Sequence, residues 1–272
     1  MTQYPRTVLG AGMLVTFVLG SIHAFSIFIG PMETMFEQTR GNISLVYSIA
    51  LVCLTVMVLY GYRLYHRAHP GWIVMIACGG AASGIAITAH ANQLWHVFIG
   101  YSLIFGAANG LGYGFVLQLV ARAMPNQKGF AMGAVTAAYA IGATVFARGL
   151  AELVSPHSPA GAFWVLAGTL LLTGGIAAAL IFRTGIRYQE DNDKITADGV
   201  TSPPMFFYWS AYGLSVFAGL MAIGHAAGIV QSGHSSDQNS AELAIWGAVL
   251  IGAGNAIGGF AVGYLSDRIA IR

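Results

Sequence analysis

Eight apolar stretches, each about 20 residues long, decide what this chain can become. They fall at roughly 7–30, 43–62, 71–90, 95–120, 130–152, 162–183, 205–230 and 242–265. About 20 residues at 1.5 Å per residue cross the ~30 Å hydrocarbon core of a bilayer. Lipid offers the backbone no hydrogen-bond partners, so each crossing segment must pair its own amides. A helix does this alone. A strand does so only within a closed barrel, and the alternating pattern of barrel strands is absent here. The stretches therefore predict an all-α, polytopic membrane helical bundle with the lipid bilayer as its partner. Composition agrees: 8% of residues are charged and the mean hydropathy is +0.69, against about 25% charged in soluble proteins. Glycine is abundant, 36 of 272 residues, as expected where membrane helices approach through small side chains. The net charge of +2 and the lack of a basic run give no sign of a nucleic-acid partner. Cys53 and Cys78 both fall inside apolar stretches and read as buried thiols. The first stretch is too long for a signal-peptide core and reads as the first helix.

Lysine and arginine set the orientation. With the N-terminus inside, the inner segments hold Arg6, Arg63, Arg67, Arg122, Lys128, Arg183, Arg187, Lys194, Arg268 and Arg272, ten of the 12. Arg40 and Arg148 stay outside. Trp72, Trp95, Trp164, Trp209 and Trp246 each sit near the start of a span, where an interfacial belt places its rings. This predicts a multi-pass protein of the plasma (inner) membrane with a cytoplasmic N-terminus. One polar segment, ending in Pro203 and Pro204, divides the spans six plus two. The expected organisation is a six-helix half over 1–183, a cytoplasmic linker over 184–204, and two helices of a second half over 205–272.

Sliding the chain by 202 residues exposes a repeat. His23-Ala24 in the first span falls on His225-Ala226 in the seventh, and Gly61-Tyr62 falls on Gly263-Tyr264. The turn at residues 61–67 thus has its counterpart in Gly263-Tyr264-Leu265-Ser266-Asp267-Arg268. That second turn resembles the Gly-x-Leu-x-Asp-Arg cytoplasmic motif of the major facilitator superfamily. The resemblance implies a latch role for Asp267 and Arg268, gating the inner side. The first copy lacks the acid. Within that superfamily, residues 20–36 and 106–143 are similar to the oxalate:formate antiporter and monocarboxylate-transporter-like branch. There a first helix ends at a proline, and a Gly-rich helix, a proline-containing inner loop and a second small-residue helix follow one another. Twelve helices are usual in such proteins, so either the chain is truncated after the eighth, which the terminal Asp267-Arg268 turn without a following helix favours, or the remaining helices lie beyond these 272 residues.

Several mid-span residues are candidates for chemistry. Asn109 and Tyr113 are four apart on one face of the fourth span, and Tyr139 lies near the middle of the fifth. Polar groups at such depth should face the bundle interior, for packing or for a wet cavity. The resemblance implies that Tyr113 and Tyr139 line a central anion cavity. His23 shares a stripe with Thr16, Gly20 and Ser26. It could donate to a carboxylate, carry a proton, or make an interhelical bond. Arg148 with Glu152 at i+4 reads as an interfacial pair or an outer selectivity charge. Gly106 and Gly110, and Gly129 and Gly133, are spaced for close helix packing. The branch that carries dicarboxylates resembles Asn-x-x-Gly-Arg in its eighth helix. Here Asn255 is followed by Gly258 and then Gly259 where the arginine would stand. Asn255 remains a polar candidate, and oxalate itself is not implied.

No motif marks an enzyme: neither a nucleophile elbow, a zinc-protease helix nor a Walker sequence occurs. The histidines show no matched pairing that would hold a haem, and no cofactor or metal is expected. The expected function is secondary transport of a small organic anion, monocarboxylate-like, by alternating access, as antiport or proton symport. The other reading is a truncated, non-transporting protein of the same fold, receptor-like or an assembly subunit.

Overall fold

Hydropathy sets where each helix lies, and small residues set how closely they meet. The computed structural model describes residues 4–155, 158–187, 203–233 and 240–269. Most of the linker expected at 184–204 lies outside the described residues. Eight helices are long and apolar enough to cross a membrane. We number them α1 (Pro5–Phe36), α2 (Arg40–Tyr65), α3 (Pro70–Ala89), α4 (Leu94–Ala123), α5 (Lys128–Ala151), α6 (Ala160–Thr184), α7 (Pro203–Gly233) and α8 (Ser240–Ser266). They are the eight predicted spans, each within a few residues at its ends except α1. Every tryptophan is at least half as exposed as a free side chain or close to it, as lipid-interface rings should be (48–67%).

α1 continues six residues past its predicted end, through Pro31 to Phe36. The reason lies in its pitch. It is α-helical over Pro5–Leu19, tightens to a 3-10 helix over Gly20–Phe28, and returns to α over Ile29–Phe36. Pro31 falls in the first turn of that last segment, where a missing N–H costs little. The chain stops at Glu37, in the left-handed conformation (φ 52°). α4 carries a matching irregularity, a π-helical stretch over Phe98–Phe105. Mid-helix departures of either kind often sit at functional positions.

α1, α4 and α5 form the interior. In their most apolar windows 72%, 61% and 67% of residues are buried, against none in α7 and 12% in α8. α1 packs on α4, α5 and α6; α3 packs on α6; α2 packs on α4; and α8 lies along α5 and α7. Gly106 and Gly110 are the points where α4 meets α2. A Cβ on Gly106 would come within 2.5 Å of the Ala50 carbonyl, and one on Gly110 would fall on that of Leu54. Arg148 and Glu152 form the expected i,i+4 pair at 2.6 Å. Both are exposed, so the pair contributes at most a few tenths of a kcal/mol. α3 starts on a histidine cap: His69 Nδ1 accepts the Gly71 N–H at 3.1 Å while its ring stacks on Phe182. Burial, and then the charge of Arg187, hold this imidazole below its ordinary pKa, which keeps the accepting nitrogen unprotonated.

Candidate functional site

Where α1 passes from α to 3-10 pitch, two backbone carbonyls, one on each side of the change, lie within reach of side chains on α4. Asn109 Nδ2 donates to the Leu19 carbonyl at 2.6 Å, and the Tyr101 hydroxyl donates to that of Ile22 at 3.0 Å. Asn109 is fully buried, and its Oδ1 accepts the Tyr139 hydroxyl at 2.9 Å. One amide thus ties α1, α4 and α5 together at mid-depth. Asn109→Ala would leave the buried Tyr139 hydroxyl without its acceptor and remove the extra bond to the Leu19 carbonyl. Each lost buried bond costs about 1 kcal/mol, and membrane interiors average somewhat less per side-chain bond. A loss of roughly 1–3 kcal/mol is expected in reversible unfolding in detergent. Asn109→Asp, which keeps the acceptor for Tyr139 but replaces the donor to Leu19 with a second acceptor oxygen, should cost as much or more. Native-like unfolding of Asn109→Ala would show that the amide ties nothing together.

Tyr139 is the hub of the ring contacts. Its ring lies 4.7 Å from that of Tyr113 and 5.3 Å, edge-on, from that of His23. The Tyr113 hydroxyl lies 3.5 Å from Thr136 Oγ1, one turn before Tyr139 on α5. His23 Nδ1 and the Tyr47 hydroxyl are 2.6 Å apart and share a hydrogen bond whose direction follows the tautomer. Tyr47 stacks on Phe25, which in turn lies 4.8 Å from Tyr101. Four of the residues singled out in the sequence therefore meet: His23, Asn109, Tyr113 and Tyr139. Tyr47, Tyr101 and Thr136 join them without having been singled out. The signal for Tyr47 was a hydroxyl beside Ser44 and Ser48 near the start of the second span, obscured because α2 otherwise reads as a lipid-facing helix. Asn255 is exposed on α8 and joins none of these contacts among the described residues. The cluster offers hydroxyls, one imidazole and one amide, and no fixed charge. It can hydrogen-bond a polar or anionic group but cannot neutralise one.

A second feature lies at the end of the bundle that carries Arg63, Arg122 and Arg268. α5 begins without a cap of its own: Gln127 makes no capping bond and the first turn holds no acid. Asp267, just beyond α8, supplies one. Its Oδ1 accepts the Gly129 N–H at 2.8 Å and its Oδ2 accepts the Phe130 N–H at 2.7 Å. A carboxylate on the first free amides of a helix is a charge-assisted contact on the positive end of its dipole. The approach depends on glycine, since a Cβ on Gly263 would lie 2.5 Å from the Gly129 carbonyl and 2.6 Å from Gly133 Cα. Arg268 takes no part in this contact. Its guanidinium lies over the Tyr264 ring, 4.4 Å from the centroid. In the first repeat the position matching Asp267 is Tyr65, fully buried and edge-on to Phe115 within its own half. Asp267 thus reaches across to α5, whereas Tyr65 packs against α4.

Comparison with known proteins agrees with this architecture. The family model described as "Major Facilitator Superfamily" matches residues 9–272. The chain is 22% identical over 276 residues to the "Uncharacterized MFS-type transporter YhjX" of Escherichia coli (strain K12), covering 98% of this chain and 68% of that protein. It is 24% identical over 174 residues to "Monocarboxylate transporter 13" of Rattus norvegicus, covering 64% of this chain and 39% of that protein. With eight helices long and apolar enough to cross a membrane among the described residues, and a family match along nearly its whole length, this chain belongs to the Major Facilitator Superfamily.

Proposed function

We propose that this membrane transporter moves a small organic anion, monocarboxylate-like, by alternating access, through antiport or proton symport. The observation that carries the reading is the Asp267 carboxylate on the α5 N-terminus. It ties the turn after α8 to the start of α5 at one end of the bundle, the place where a gate closed at that end would act. Midplane sites closed from one side at a time are how such repeats work. In this reading the basic end is cytoplasmic, the N-terminus is inside and the membrane is the inner membrane.

Within the centre we assign Tyr113, Tyr139 and His23 to the substrate. Tyr113 is half-buried and its hydroxyl has only a long contact to Thr136, so it is the donor with most capacity to spare. Asn109 spends its amide on Leu19 and Tyr139 and acts as their positioning residue. Asn255, exposed on α8, is assigned to the substrate path by the family pattern alone. Asp267 is the gate, and Arg268 supports it by holding the turn against Tyr264. The 3-10 stretch of α1 and the π stretch of α4 are the bending points. The monocarboxylate class draws on the relative named as a monocarboxylate transporter.

The test is uptake of labelled monocarboxylates into proteoliposomes. Tyr113→Phe removes one hydroxyl and no packing area. It is expected to lower uptake about 10- to 150-fold, the worth of one hydrogen bond to a charged group, with unfolding unchanged. Tyr139→Phe should lower uptake and stability together, since its hydroxyl is already paired to Asn109. Unaltered uptake in both variants would remove the tyrosines from the substrate path. Uptake of no carboxylate by the parent chain would overturn the substrate class.

A further inference from the structure

A cavity of about 250 Å³ lies between α1, α2 and α7, beside the cluster described above but not part of it. Its polar wall is Ser44, Tyr47 and Ser48 of α2 with His225 of α7. Its apolar wall includes Leu51 and Val52 of α2, and Phe217 and Met221 of α7. Ser44 Oγ is shielded from solvent and has no hydrogen-bond partner. A buried, unpaired hydroxyl is uncommon and calls for a partner. Ser48, by contrast, is spent on the Ser44 carbonyl at 3.3 Å.

Helix geometry adds a charge at the rim. Arg40 precedes Ser44 by one turn on the same face of α2, as residues four apart do. Its guanidinium carbon would lie 3.0 Å from a Cβ on Gly228, one turn beyond His225 on α7. Arg40 therefore stands over the end of the cavity nearest Ser44 and His225. Glu33 is its acidic partner, at 3.7 Å, and no carboxylate lies among the residues of the cavity wall.

We propose that this cavity binds a small monocarboxylate with a short unbranched apolar chain, as a second site distinct from the Tyr113–Tyr139 cluster. The ligand class rests on the proposed function; the site itself rests on the cavity. The carboxylate takes the Ser44 hydroxyl and the His225 imidazole, under the Arg40 guanidinium. The chain lies along Leu51, Phe217 and Met221. The volume equals about eight water molecules at ~30 Å³ each, small for a ligand pocket and enough for a four- to six-carbon acid. Tyr47 links the two sites. It lines this cavity, and its hydroxyl is bonded to His23, whose ring lies edge-on to that of Tyr139. A carboxylate that draws on Tyr47 changes what His23 can offer the central cluster.

The experiment uses radiolabelled pentanoate and the purified chain in lipid nanodiscs. Saturable binding is expected. Ser44→Ala should weaken it about 5- to 10-fold, the worth of one hydrogen bond. Met221→Trp, which fills the cavity, should abolish it. A second readout does not depend on Trp being accommodated. In a Cys53→Ser, Cys78→Ser background, alkylation of Ser48→Cys should slow at least threefold with saturating pentanoate. Undiminished binding in Met221→Trp, or unprotected alkylation of Ser48→Cys while pentanoate binds, overturns the site. If binding falls in Tyr113→Phe and persists in Met221→Trp, the ligand occupies the central cluster. That result overturns this proposal and leaves the transport reading standing. No saturable binding of pentanoate overturns the ligand class assigned to this cavity, whatever uptake shows for other anions.

Discussion

Replacing Gly142 with leucine is expected to unfold the bundle at its centre, at a cost above about 4 kcal/mol. α1 and α5 cross with no room between their backbones. A Cβ on Gly142 would fall on the Phe17 carbonyl, and a Cβ on Gly20 would fall on the Tyr139 carbonyl. The obstacle is backbone, not the end of a flexible side chain, so repacking a rotamer cannot relieve it. The helices must separate, and this crossing lies beside His23, Tyr139 and the Asn109 bond to Leu19. Gly20→Leu should behave alike. Gly168→Leu is the control, because a Cβ there meets nothing within 4 Å. The measurement is thermal unfolding in detergent, together with the fraction of monodisperse protein. A native-like transition for Gly142→Leu would mean that the helices do not cross this closely.

The second large effect is expected at Asp267. Asp267→Asn keeps the shape of the side chain but offers a single carbonyl oxygen, without charge, to two amides. Charge-assisted bonds are roughly twice as strong as neutral ones, and the site is exposed. The expected loss is about 1–2 kcal/mol, a factor of 5–30 in the balance between closed and open forms of this end. Asp267→Lys puts a cation at the positive end of α5 and should shift the balance further, by about 100-fold. The readout is the alkylation rate of a cysteine placed at Phe130, in a background lacking Cys53 and Cys78. It should rise in the order parent, Asn, Lys. Equal rates in all three would show that the carboxylate does not hold this end shut, and the gate assignment would fail. Arg268→Ala tests the supporting role. Losing an exposed cation–π contact worth about 0.5–1 kcal/mol should raise the rate only a few-fold.

The second prediction depends on small residues whose importance was legible as spacing but not as contact, whereas Gly142 was not singled out by the sequence at all. Gly129 and Gly133 are four apart, which marks a helix that something approaches closely. The sequence did not say that the approaching element is α8 and the contact point Gly263. Asn109, Tyr113 and Tyr139 were legible for a stronger reason. A hydrophilic group at mid-membrane must be paired, so its presence there already predicts an interior position. His23 was legible on the same ground and through its repeat mate His225. Tyr47 was not, because tyrosine is amphipathic and suits a lipid-facing helix as well as a buried site. Asn255 was singled out by a family pattern, and the fold leaves it exposed on α8.

The sequence by itself determined that this chain enters a membrane, how many times it crosses, and where each crossing begins. Those outcomes depend on transfer free energy summed along about 20 neighbouring residues, a quantity that local order alone sets. Only the tertiary structure decided which polar groups meet. Asn109 bonds a carbonyl 90 positions away, and Asp267 reaches an amide 138 positions away. Such pairings follow from the rotation of each helix about its axis. That rotation is fixed by glycine-to-backbone packing between helices and by the 3-10 turns of α1, neither of which a hydropathy pattern records.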